Sequence, residues 1–250
     1  MLTRNLLWFG LGIAMVIALI QAWPIAAALP FKLSDVASAD DLVAEFTAKV
    51  DELERGLVTP DSFLSSADKF RRSATQLAIF AQALSQHDED SRFKVSAKSL
   101  RDAAIQLAQS KSYEAAVRDF ELLKQAMTED RPTTVPQELD WEKLARLRTL
   151  MELLRERTDL VRKSLRRPKD AATESRHASA MAIIALAVDA HASEPKYSHN
   201  PTDWHRFSLE FQHSMTKTAA AIRSRDVPAA IEHFTAAQEA CDRCHEKFKR

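Results

Sequence analysis

The chain has 250 residues, 35 Lys or Arg against 35 Asp or Glu, and only three glycines. Zero net charge argues against a general nucleic-acid binder, which needs an excess of cations to displace phosphate counterions. Glycine makes up about 7% of ordinary chains, so this one lacks the turn residues of a sandwich, barrel or propeller. It also carries neither GxGxxG nor GxxxxGK[ST]. With 46% hydrophobic residues it can fill real cores, and helices are what it can build them from.

Residues 1–28 read as a targeting segment. Arg4 is followed by an apolar run from Leu6 to Ile20 and then by small residues ending Ala26-Ala27-Ala28, the basic start, apolar centre and A-x-A exit of a secretory signal. Cleavage after Ala28 is expected. A retained anchor is the alternative, since Leu6 to Phe31 reaches the roughly 20 residues of a membrane span if Gln21 and two prolines are tolerated. Either way the remainder is expected outside the cytosol, periplasmic or otherwise exported, and membrane-bound only through that anchor.

The exported part suggests two domains on a prior of about 100–150 residues each. The run Asp130-Arg131-Pro132-Thr133-Thr134-Val135-Pro136 marks a boundary. The pieces on either side are similar: Ser110 to Phe120 aligns without gaps with Ser224 to Phe234, and Arg72 to His87 aligns with Arg176 to His191. The offset changes between the matches while their order holds, which points to a duplicated domain with altered loops. Residues 37–130 and 137–250 are therefore the two expected units. Each reads as four helices: near Ala39–Leu57, Pro60–Gln86, Ser91–Gln109 and Ser112–Met127, then Gln137–Arg166, Lys169–Ala192, Thr202–Ser224 and from Asp226 onward. Leu144, Leu147, Met151, Leu154, Val161 and Leu165 form a bundle seam, and Asp226 with Pro228 makes a helix start. The fold class is all-α, two tandem up-and-down four-helix bundles.

The chemistry lies near the end, in Cys241-Asp242-Arg243-Cys244-His245, which holds the only two cysteines. C-x-x-C-H is the attachment signal for haem c: two thiols add to porphyrin vinyl groups and the imidazole ligates iron. Three alternatives fit less well. A thioredoxin-like dithiol belongs after a strand, a zinc site lacks a fourth ligand nearby, and a disulfide would close a very small loop in mid-helix.

With its exported helical bundle and this motif at the end of the last helix, followed by Glu246-Lys247-Phe248-Lys249-Arg250, the second unit resembles the cytochromes c prime and their low-spin relatives. Phe248 stands where that family usually has tyrosine, and the Trp204, Phe207, Phe211 run also looks like it. The resemblance covers about Glu138 to Arg250. The first copy departs from it, with Met127, Asp130 and Arg131 at the positions of Cys241, Cys244 and His245, so it is expected to lack haem. The family's distal residue comes from the first helix of the bundle, often with an arginine one turn earlier beside the haem propionates. Two assignments follow: Arg146 with Leu150 as an open distal wall, or Met151 as a sixth ligand. His177 and His191 share a helix face that would also let either approach a cofactor.

The resemblance implies one covalent haem, no catalytic acid–base pair and no enzymatic activity. Electron transfer to redox partner proteins is the expected function. A five-coordinate haem that captures nitric oxide or carbon monoxide is the alternative, and a haem that mainly stabilises the fold is a third. Family members commonly dimerise through helix faces, so the haem-free copy is expected to act as a permanent partner in an intramolecular pseudo-dimer.

Overall fold

The computed structural model describes residues 31–128, 139–194, 196–197 and 199–249. The expected targeting segment 1–28 and most of the proline-bearing linker lie outside them. Among the described residues there are eight α-helices and no strand: α1 (Ala39–Gly56), α2 (Pro60–Gln86), α3 (Ala97–Ala108), α4 (Tyr113–Thr128), α5 (Leu147–Arg166), α6 (Ala171–Ala190), α7 (Pro201–Arg223) and α8 (Val227–Phe248). None of these is long and apolar enough to cross a membrane.

Local chemistry sets most boundaries. Ser38, Asp170, Asn200 and Asp226 cap α1, α6, α7 and α8 by accepting from first-turn amides. Thr59 and Ser62 make a reciprocal box before α2. Arg225, with φ 61°, ends α7: its amide bonds the Ile222 carbonyl and that of Asp226 bonds Ala221, the two bonds of a Schellman turn. Two helices begin later than their periodicity predicts. α5 starts at Leu147 rather than near Gln137, because Trp141 turns inward in a short 3₁₀ turn (Trp141–Lys143) and its indole donates to Gln86 Oε1 at 2.9 Å. α3 starts at Ala97 rather than Ser91, because Phe93 folds down onto Phe46, ring centroids 5.2 Å apart. α2 is kinked at Ser66, whose hydroxyl bonds the Ser62 carbonyl.

Consecutive helices pack on one another from α1 to α4 and again from α5 to α8, and α1 and α2 lie against α5 and α6. Ser73 to Leu84 of α2 and Ala178 to Val188 of α6 are buried on every side. A helix apolar all round is one covered all round; α6 meets α5 and α7 on one flank and α1 and α2 on the other.

The matched histidines make the same contact. His87 Nε2 bonds the Ala37 carbonyl at 2.9 Å, and His191 Nε2 bonds that of Ala145 at 3.1 Å. Each ring follows the second helix of its half and ties it to the residue before the cap of the first. His191 is thereby engaged away from any cofactor position. His87→Ala and His191→Ala should each cost about 1–3 kcal/mol, the desolvation of a carbonyl left without a donor. Urea midpoints measure this, and a loss at only one of the two sites would break the equivalence.

Candidate functional site

Along α8 the residues Ala230, Phe234, Ala237, Cys241, Cys244 and Phe248 alternate four- and three-residue steps, so they fall on one stripe. Its alanines are buried and both thiols are partly buried. The motif therefore turns two sulfurs inward, while His245, one position on, stands at the solvent edge of the stripe.

Beside this edge lies a cavity of about 610 Å³. Cys241 and His245 form one wall, Phe211 and Phe234 the apolar floor, and Met151 with Leu154 of α5 the facing wall. A recess of about 40 Å³ adds Cys244 and again contains Met151, Leu154, Cys241 and His245. Arg148, Arg155 and Lys249 bring positive charge to the larger cavity, against Glu152 and Asp242.

Burial pushes the Cys241 thiol up to about 12, helped by Cys244 and Asp242, and pushes Cys244 up to about 11. Both stay protonated at neutral pH, opposite to the lowered pKa of a redox dithiol. His245 is shifted below the usual histidine value by burial and then by Lys249. It is neutral at pH 7, with a ring lone pair available. Among the described residues no three His, Cys, Asp or Glu side chains form a metal-holding group.

The other expected site residues lie elsewhere. Leu150 is 0% exposed and does not line the cavity; one residue of rotation on α5 turns Met151 there instead. Arg146 is the N-cap of α5, outside the helix, and lines a different groove. Arg148 and Arg155, three residues before and four after Met151, take the cationic positions expected of it, and helical spacing from Met151 would have found both. Phe248 is buried away from the cavity, its ring 5.2 Å from that of Trp204 and 6.3 Å from that of Tyr197. The Trp204 indole donates to the Val188 carbonyl, so this aromatic group anchors the end of α8 on α6 and α7. His177 faces the first half of the chain, beside Arg157 and Glu45. Of the first copy's counterparts Met127 is partly buried, and Asp130 and Arg131 lie outside the described residues.

No protein-family model, curated protein or solved structure matches this chain, so the likeness to the cytochromes c prime rests on its own residues, chiefly Cys241, Cys244 and His245.

Proposed function

We propose that the chain is an exported c-type cytochrome of two tandem four-helix bundles, in which Cys241 and Cys244 hold one haem covalently, His245 is its proximal ligand, and the protein carries electrons. The observation that carries this reading is the meeting of Cys241, His245 and Met151 around one cavity of about 610 Å³, with Cys244 on a small recess that shares those three residues. The cavity volume falls within the roughly 300–1,000 Å³ usual for cofactor sites. The donor set fits, because two unpaired thiols and a neutral imidazole without a hydrogen-bond partner among the described residues sit side by side.

When bound, haem supplies a one-electron couple whose potential follows its axial ligands and burial. The chain's own residues do the rest. Leu154, Phe211 and Phe234 keep water from the cavity floor, and Arg148, Arg155 and Lys249 form a cationic rim suited to propionate carboxylates. Met151 is the proposed sixth ligand, which favours a carrier over a module for nitric oxide or carbon monoxide. The haem-free half is a fixed partner in an intramolecular pseudo-dimer, a reading supported by the packing of α1 and α2 on α5 and α6.

Protein produced with a cytochrome maturation system should keep its haem through denaturation, seen by haem staining and as added mass. Cys241→Ala with Cys244→Ala should lose all of that signal. Haem retained by the denatured double variant would overturn the proposal.

A further inference from the structure

A second cavity, about 970 Å³, lies apart from the cysteine motif. It is a groove between the two halves, walled by Arg71, Arg72 and the end of α3 on one side and by the approach to α5 on the other. Six of its lining residues are Lys or Arg and four are Asp or Glu, a local excess in a chain of zero net charge. Several of these charges are engaged within the protein: Arg72 with Glu152 and Glu156, Arg148 with Glu152, Lys143 with Asp140. Arg146 and Arg155 are exposed, and no acidic side chain among the described residues pairs with them. Among the described residues the acidic partner of Arg71 is Asp68, itself strongly exposed.

The groove adjoins the cysteine cavity. Arg148, Glu152 and Arg155 line both, and their spacing puts them on one stripe of α5, so this stripe is the shared wall. Arg148 and Arg155 are seven residues apart, about 10 Å along the helix axis. One carboxylate or phosphate cannot serve both, but an extended chain places residues three apart at about the same distance.

We propose that this groove docks an acidic segment of a partner protein, and that the haem-free half is retained because it supplies one of the groove's two walls. Given the carrier reading, on which the redox role of the partner rests, docking here would bring that partner to the far side of the wall that carries Met151. The charged rim would contribute mainly to encounter rate and orientation.

The test uses the full chain and a fluorescein-labelled peptide of ten glutamates, followed by fluorescence anisotropy. Binding should weaken with added salt. Arg71→Glu with Arg146→Glu, one residue from each wall and neither in the cysteine cavity, should weaken it at least ~10-fold and leave haem content unchanged. Lys111→Glu with Lys217→Glu makes the same change in net charge on exposed positions elsewhere and should alter it less than ~2-fold. No peptide binding, equal loss in both pairs, or binding of anionic phospholipid vesicles in place of the peptide would each overturn the proposal. The readout needs no haem signal. Peptide binding by a chain that never acquires haem would reject the carrier reading alone, and haem-loaded protein that ignores the peptide would reject docking alone.

Discussion

Replacing Arg157 with alanine should lower stability by about 3–5 kcal/mol, the cost of removing one partner from a buried ion pair. Arg157 is 3% exposed and reaches from α5 into the interface between the halves. It pairs with Glu45 of α1 at 2.5 Å, donates to Gln76 Oε1 at 3.3 Å and to His177 Nδ1 at 3.1 Å, and lies over the Phe80 ring. Alanine would leave a buried carboxylate without its cation, and the melting temperature should fall by on the order of 10 °C. Replacing both partners, as Arg157→Met with Glu45→Leu, removes the charge together with its counter-charge and should cost far less. If the double variant is as unstable as the single one, the pair contributes packing that no apolar substitute reproduces.

The same cluster sets a pH dependence. Burial, and next the charge of Arg157, lowers the His177 pKa from 6.5 to about 4. The unfolded chain therefore binds a proton that the folded one refuses, and stability present above pH 6.5 is lost as the pH falls towards 4. A shift of this size corresponds to roughly 3–4 kcal/mol. Glu45 is also held below its ordinary value: burial opposes this, but the charge and hydrogen bond of Arg157 outweigh it. Its contribution is present above pH 4.5 and fades on further acidification, so both groups act in the same direction. Urea midpoints across this range should fall steadily in the parent protein and more shallowly in His177→Gln.

Met151→Ala should abolish the far-red sulfur-to-iron absorption band of the ferric protein and make the reduced protein take up carbon monoxide readily. Met151 is the one thioether among the residues lining the cavity that Cys241 and His245 share. A methionine ligand raises the potential of a c-type haem, and alanine would leave an apolar gap in its place. Leu150→Ala serves as the comparison. It should destabilise the fold by about 2–5 kcal/mol, since Leu150 is fully buried, while leaving the band in place. A parent protein without the band that binds carbon monoxide at once would favour gas capture over electron transfer.

Much of this was legible in residue order alone. The 3.6-residue rhythm, the helix start at Asp226 and Pro228 and the scarcity of glycine are local properties, and they place the helices to within a few residues except where Trp141 and Phe93 fold inward. The thiols and imidazole of Cys241, Cys244 and His245 are adjacent in the chain, so any helix through them sets their relation. Three decisions needed tertiary structure. Leu150 and Met151 are neighbours on α5 and both fit an apolar stripe; only the rotation of α5 against α8 turned the methionine to the cysteines and the leucine to the core. Arg157 reads as a surface residue until α1 arrives from the other half with Glu45, because a charge can be buried only where a distant partner meets it. The basic groove belongs to neither half alone: it exists because α2 lies against α5, and contacts between residues so far apart in the chain leave no trace in local periodicity.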